Sequence, residues 1–115
     1  MKLLSFQVES GRLITDFGSD FVHQLVTRFE GEAAVSLVHL PPGGTIGMHE
    51  ARVPQLMIVC CGSAEVCGSN SRFSSVKAGD AAFWTTGERH ETISDEGMTA
   101  LILESPVLKE QDFKL

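Results

Sequence analysis

The stretch from Lys77 to His90, KAGDAAFWTTGERH, decides the fold of this 115-residue chain. It begins with the turn residues of KAGD, continues through the apolar run AAFW, and reaches a second turn, TTGE, just before His90. Gly and Asp favour turns, and a short apolar run between two turn signals is typical of a buried strand. The stretch therefore predicts turn, strand and turn, with a histidine entering the next strand.

The same rhythm extends over residues 33–104. Pro, Gly, Asn, Asp and Ser clusters separate the runs AAVSLVHL, QLMIVCCG, AEVCG, AAFWTT, HETIS and MTALILES. No window of eleven or more residues in this region keeps apolar positions at i, i+3, i+4 and i+7, as an amphipathic helix would. We therefore predict an all-β sandwich or barrel.

Turn residues also predict where individual strands end. The sequence Leu40-Pro41-Pro42-Gly43-Gly44 must end a strand, because proline has no N–H for a ladder. Cys61-Gly62-Ser63 predicts a hairpin that folds QLMIVC back onto AEVC. Two segments stay open: FVHQLVTRF is a short amphipathic helix or a strand, and the tail VLKEQDFKL is a helical turn or a strand.

Composition limits the classes of function. The length is that of one domain, and 43% hydrophobic residues favour a soluble globule. A formal net charge of -6 repels nucleic acid and anionic membranes, so we expect neither as a partner. The start, MKLLSFQVES, lacks the apolar core of a secretory signal, and we expect a cytoplasmic protein.

The number of cysteines is odd: Cys60, Cys61 and Cys67. An odd number argues against a disulfide framework and favours reduced cysteines that act as small hydrophobic residues in or near the core.

Two spaced motifs carry a family resemblance. Gly43, His49, Ala51, Gln55 and Gly62 have the spacing of the first cupin motif, G(X)5HXH(X)3,4E(X)6G, with Ala51 at its second histidine and Gln55 at its glutamate.

A second set of residues has the spacing of the second cupin motif, G(X)5PXG(X)2H(X)3N: Gly79, Thr85, Gly87, His90 and Ser94. Thr85 stands at the proline of the motif and Ser94 at its asparagine. The sequence thus resembles a small single-domain cupin with a degenerate first motif.

The resemblance implies a double-stranded β-helix, or jelly-roll barrel. It implies one cupin domain over residues 1–115, with the barrel at about 33–104, an N-terminal strand or helix segment at 1–32 and a tail at 105–115. It further implies a small-molecule ligand inside the barrel and a homodimer.

The resemblance also implies a divalent metal, Zn, Ni, Fe or Mn, held by His49, Gln55 and His90. Two imidazoles and a neutral amide are a weaker donor set than three imidazoles and a carboxylate, and affinity should fall accordingly. His39, Glu50, Glu88 and Glu91 are possible substitute ligands, although Glu50 and Glu91 should face away from the barrel as neighbours of histidines on a strand. Gln55 is alternatively an interior amide that bridges the two histidines without an ion. We expect no nucleotide cofactor.

Strand alternation indicates which residues form the inner wall. Positions 55, 57 and 59 share one face of their strand, and positions 90, 92 and 94 share one face of theirs. We expect both faces to point into the barrel. Arg52 is either a solvated loop charge or a clamp for an anion at the barrel mouth. We treat His23 as an ordinary histidine. The predicted pocket-lining residues are Ala51, Met57, Val59, Phe83, Trp84, Thr92, Ser94, His39 and Arg52.

Three functions compete at this point. In the first, the barrel is an enzyme in which the metal acts as Lewis acid or oxygen activator, as in oxygenases and isomerases of the cupin type. In the second, it is a metal-free module that binds or senses a small molecule through His49, Gln55 and His90. In the third, it is a dimeric barrel with relic motifs. Without a metal, His49 and His90 are the general-base candidates, followed by Glu104.

Overall fold

A computed structural model describes residues 1–113 and contains ten β-strands, three short 3-10 helices and no α-helix within those residues. The 3-10 helices span Val8–Ser10, Asp16–Gly18 and Glu110–Phe113. The strands are β1 Lys2–Ser5, β2 Arg12–Ile14, β3 Phe21–His23, β4 Ala34–Leu40, β5 Gly44–Glu50, β6 Gln55–Cys67, β7 Ser74–Lys77, β8 Asp80–Trp84, β9 Arg89–Ser94 and β10 Met98–Glu104. The predicted all-β fold is confirmed.

Two antiparallel sheets share the long strand β6. Its first half lies in a sheet of order β1-β8-β6-β10-β4, and its second half pairs with β7 and β9. Strand β9 also pairs with β5, so the second sheet has the order β7-β6-β9-β5. Strands β2 and β3 form a separate hairpin. The two sheets enclose one inner core, to which both contribute buried side chains.

Strand β6 does not reverse, so the hairpin predicted at Cys61-Gly62-Ser63 is wrong. Val59 pairs with Ala100 and Cys61 with Thr99, which leaves Cys60 as the extra residue of a β-bulge. Gly62 follows at a φ of 80°, a conformation that glycine adopts without strain. The glycine therefore helps to bend the strand from one sheet into the other instead of folding it back.

The other predicted turns are confirmed. Strand β4 ends at Leu40, and β5 begins at Gly44. A two-residue connection joins β7 to β8 at Asp80, and residues 85–88 separate β8 from β9. These turns set the ends of the strands that carry the two motif histidines.

Strand β8 is buried on both faces, which explains its continuous apolar run. Ala82 and Trp84 belong to the inner core, whereas Ala81 and Phe83 belong to an outer core. The N-terminal segment and the tail cover that outer face of the first sheet. The side chains they contribute are Leu4, Phe6, Val26, Phe29, Leu108 and Phe113.

The structure shows the conformation of both segments that the sequence leaves open. FVHQLVTRF is not helical: Phe21–His23 is a short strand paired with Arg12–Ile14, and Val26 and Phe29 pack onto the outer core. The tail forms one 3-10 turn, Glu110–Phe113, while positions 114–115 of the predicted domain and tail lie outside the described residues. No helix in the described part of the chain has the length and apolar character needed to cross a membrane.

Candidate functional site

The two motif histidines lie opposite each other in the second sheet. His49 on β5 pairs directly with His90 on β9, and their ring centroids are 4.2 Å apart with the planes inclined by 55°. Directly opposed residues of antiparallel strands have Cβ atoms about 5 Å apart, so this register by itself brings the imidazoles together.

A bulge in β5 sets this register. Ile46 pairs with Thr92 and His49 with His90, so Gly47 and Met48 both stand against one residue of β9. Simple alternation would put residues three apart on opposite faces. The bulge brings Ile46 and His49 to the same inner side, where both line one cavity.

His90 is enclosed by aromatic and backbone groups. Its side chain is only 2% exposed and stacks on the Trp84 ring, with centroids 4.6 Å apart. The Trp84 indole in turn donates its Nε1–H to the Cys67 carbonyl at 3.1 Å. The nearest hydrogen-bond partner of His90 Nδ1 is the Glu88 carbonyl at 3.3 Å, whereas the buried Nε2 has no partner within the described residues. Burial lowers the pKa of His90, and the field of His49 lowers it further, against the opposing effects of Glu88 and Glu104.

His49 lies at the exposed edge of the same site. Its Nδ1 is 2.7 Å from the Gly47 carbonyl, and a carbonyl oxygen only accepts hydrogen bonds. The proton is therefore assigned to Nδ1, which leaves the lone pair on Nε2. The same reasoning applies to His90 beside Glu88, so both imidazoles keep Nε2 free as an acceptor or ligand.

The first sheet contributes a row of three side chains. Gln55 on β6 pairs with Trp84 on β8 at one side and with Glu104 on β10 at the other. Gln55 and Glu104 line the cavity beside the two histidines, while Trp84 stacks behind His90. The Gln55 amide makes no hydrogen bond to either imidazole in the described structure, so it does not bridge them.

These residues enclose a cavity of about 180 Å³. Its wall is lined by Ser36, Val38, Ile46, His49, Gln55, Met57, His90, Thr92, Ile102 and Glu104. A larger depression of about 420 Å³ lies elsewhere, along β6, β7 and β9, but its lining contains acidic residues and Lys77 without a histidine. Among the residues that the structure describes, His49, Gln55 and His90 meet in the cavity of about 180 Å³.

Several predicted pocket residues lie in or behind this wall. Met57 and Thr92 line the cavity itself. Ala51, Val59 and Trp84 pack in the surrounding inner core without lining it.

Other predicted pocket residues lie away from the cavity. Phe83 faces the outer core, because the chain termini cover the side of β8 opposite Trp84. Ser94 is fully buried, but its hydroxyl donates to the Ser63 carbonyl and accepts from the Gly97 N–H. His39 is on the outer side of β4 and hydrogen-bonds Thr99, and Arg52 is exposed in the loop before β6.

The predicted substitute ligands do not join the histidines. Glu50 is exposed at the end of β5. Glu88 binds the N-terminal ammonium and the Thr85 N–H, which fixes it in the turn before β9. Glu91 does not line the cavity and acts on Cys67, as expected for the opposite face of β9. Within residues 1–113, no three His, Cys, Asp or Glu side chains form a group able to hold a metal ion.

Four residues of the wall are not among those predicted from the sequence: Ser36, Val38, Ile46 and Ile102. Strand alternation could have indicated three of them, because Ser36 and Val38 share one face of β4, and Ile102 shares one face of β10 with Glu104. Ile46 has no such signal, because the bulge that turns it inward is not evident from the residue pattern.

Comparisons with known proteins identify the architecture. No protein-family model matches the chain, and no curated protein sequence matches it. Solved structures do match. The chain is similar to an RmlC-like cupin from Shewanella frigidimarina, with 21% identity, a TM-score of 0.62 and coverage of 71% of this chain and 73% of that one.

Two further structures illustrate the range of proteins with this fold. A conserved protein of unknown function from Streptococcus pyogenes has 17% identity and a TM-score of 0.62, and the match covers 70% of each chain. A predicted oxalate decarboxylase from Thermotoga maritima has 24% identity and a TM-score of 0.56, with coverage of 60% of this chain and 62% of that one. The likeness confirms the barrel predicted from the two motifs.

Proposed function

We propose that this cupin-fold barrel binds a divalent metal ion between His49 and His90, together with a small polar molecule in the adjoining cavity. The buried Nε2 of His90 carries the proposal. It has no hydrogen-bond partner in the described structure, and a buried polar atom left unpaired is costly unless a ligand or water satisfies it. The residue lines the cavity beside His49, so a group bound there can satisfy the atom.

The states of the two imidazoles support this proposal. Both hold Nδ1 against a backbone carbonyl and keep Nε2 free, and metal-bound histidines usually anchor their second nitrogen in this way. The lowered pKa of His90 keeps its ring neutral at pH 7, the form that offers a lone pair. Imidazole suits Zn, Ni and Fe, so these ions are the first to test.

The cavity limits the size and character of the second ligand. A volume of about 180 Å³ is below the roughly 300 Å³ at which drug-sized pockets begin, so the cavity suits a molecule smaller than a drug-sized ligand. Hydroxyls of Ser36 and Thr92 and the amide of Gln55 are placed to orient its polar groups. Met57 and Ile102 add buried apolar surface to the wall. A bound divalent ion would supply Lewis-acid polarisation of an oxygen of that molecule.

A metal-free binding site is the second candidate function. It is favoured by the lack of a third His, Cys, Asp or Glu ligand converging with the two histidines within residues 1–113. In that case His90 Nε2 accepts a hydrogen bond from an O–H or N–H of the ligand, and the Gln55 amide pairs with a second polar group.

Metal binding by the full-length, untagged chain tests the proposal. Exposed Cys60 and Cys61 can bind soft ions, so both are replaced by serine in every protein of the series. After incubation with Zn, Ni, Mn or Fe(II) and removal of free metal, elemental analysis should find one ion per chain. His49→Ala and His90→Ala should lose it, whereas His39→Ala, which removes an imidazole on the outer side of β4, should retain it.

Two results would decide against the metal. Chains that bind none of the four ions would contradict the proposal and favour the metal-free site. Equal binding by the His90→Ala variant would place the ion elsewhere on the protein.

A further inference from the structure

We infer that Glu104, at the end of β10, supplies to the metal site the carboxylate that Gln55 lacks. The inference rests on the proposed function, because it concerns the ligands of the same ion. Glu104 lies outside both sequence motifs, on a strand other than those that carry His49, Gln55 and His90.

The pairing of β6 with β10 places Glu104 beside Gln55. The two residues are direct partners in antiparallel strands, and Cβ atoms in such pairs are about 5 Å apart. Both side chains line the cavity. Glu104 therefore lies on the strand next to Gln55, the position at which the first motif has its glutamate, and its side chain is on the same inner face.

The Glu104 carboxylate is free to move into the site. It makes no hydrogen bond and no salt bridge to any residue within 1–113, although its residue is half-buried. Its other strand neighbour, Ala34, is small and does not compete for the same space. The carboxylate and the two imidazoles do not converge in this structure, so ligation requires rotation about the three side-chain bonds of the glutamate.

Charge gives a reason for that rotation. No Lys or Arg lines the cavity, so its wall has one carboxylate and two imidazoles without a compensating cation. Two neutral imidazoles alone leave the charge of a divalent ion uncompensated. Bringing Glu104 to the ion supplies a compensating negative charge.

The completed donor set would consist of two imidazoles and one carboxylate. This set with open positions is the one that non-haem Fe(II) sites use, and it leaves room for a small molecule to bind the ion directly. Glu104 would then determine which ion the barrel prefers, since a carboxylate favours harder ions such as Fe(II) and Mn(II) over a purely imidazole and amide site.

Moving the carboxylate by one strand tests the inference. Co(II) is titrated into the full-length, untagged chain in the Cys60→Ser, Cys61→Ser background, and its visible absorption bands report both affinity and ligands. Glu104→Gln should weaken binding at least about tenfold, the lower end of what even an outer-shell change costs a metal site. The double variant Gln55→Glu, Glu104→Gln, which returns the carboxylate to the motif position, should recover most of that loss.

Glu50→Gln is the matched control. It removes a carboxylate next to His49 in sequence but exposed and outside the cavity, so it should leave the affinity for Co(II) unchanged. Thermal unfolding of each metal-free variant checks that the fold is kept.

The outcomes separate the inference from the function on which it rests. If Glu104→Gln binds Co(II) like the parent while His90→Ala does not, Glu104 is not a ligand and the metal site stands. A loss in Glu104→Gln that the double variant does not recover would also overturn the inference. If the parent binds no Co(II), the proposed metal function fails, and the role of Glu104 fails with it.

Discussion

His90 and Trp84 form a stacked pair in the wall between the two sheets, with ring centroids 4.6 Å apart and planes inclined by 25°. His90 follows the turn after β8, and Trp84 is the last residue of that strand. The indole is fixed by its hydrogen bond to Cys67 and so holds the imidazole in place, while the ring of His49 also lies against that imidazole. This pair connects the folded core directly to the candidate site.

The burial of His90 predicts that stability depends on pH. Its folded pKa is below the ordinary value of about 6.5, chiefly because burial disfavours the charged ring, so the unfolded chain binds the proton more readily. The stabilising contribution is complete above pH 6.5 and is lost as the pH falls through the lowered pKa. Urea unfolding at pH 7.5, 6.5 and 5.5 should show a steeper loss for the wild type than for His90→Gln. Parallel pH profiles would contradict this account.

Trp84 fluorescence should report the protonation of His90. Trp84 is the sole tryptophan of the chain, and an imidazolium stacked on an indole quenches it more strongly than a neutral imidazole does. Emission should therefore fall as the pH is lowered below 6.5, and this fall should be absent in the His90→Gln variant. His39→Ala, a change on the outer side of β4, should keep the step; its disappearance there would assign the signal to another group.

The three cysteines should differ in reactivity. Cys60 and Cys61 are both exposed, since the bulge at Cys60 interrupts the alternation that would turn one of them inward, whereas Cys67 is buried. Burial raises the pKa of the Cys67 thiol, and the thiolate is the reactive form. A colorimetric thiol reagent should titrate two thiols in the native protein and the third only in denaturant. The Cys60→Ser, Cys61→Ser protein should not react until it unfolds; rapid native reaction would refute the burial of Cys67.

Ser94 should contribute to stability despite its place in the second motif. Its hydroxyl donates to the Ser63 carbonyl at 2.6 Å and accepts from the Gly97 N–H at 2.8 Å, joining the end of β9 to β6 and to the next turn. Ser94→Ala leaves both groups without this partner and should cost about 1–3 kcal/mol in the free energy of unfolding. Ser75→Ala, at an exposed serine of β7, should change it by less than about 0.5 kcal/mol. Equal effects would contradict the structural role of Ser94.

Turn chemistry made much of the fold predictable from the sequence. The prolines after Leu40 and the turns on either side of β8 fix strand ends through local backbone constraints. The hairpin predicted at Gly62 is wrong, because a glycine with positive φ is compatible with a bend in a continuous strand as well as with a reversal of the chain. Whether the chain reverses there depends on pairing with β10, which lies more than thirty residues further along.

The candidate site was predictable only in part for a similar reason. Motif spacing indicated His49, Gln55 and His90, and the structure brings these three to one cavity. The roles of Ile46 and Phe83 depend instead on a bulge and on the terminal segments that cover the outer core, neither of which follows from periodicity. The sequence ranks Glu104 only third among the general-base candidates, because its place beside Gln55 depends on the register of β6 and β10.

X-ray absorption at the zinc edge tests most directly whether His49 and His90 together hold a divalent ion. The sample is the full-length, untagged chain, loaded with zinc, in which Cys60 and Cys61 are replaced by serine. The account predicts two imidazole nitrogens at about 2.0–2.1 Å with the remaining ligands oxygen. A spectrum with one imidazole or none, or a chain that takes up no zinc, would contradict it.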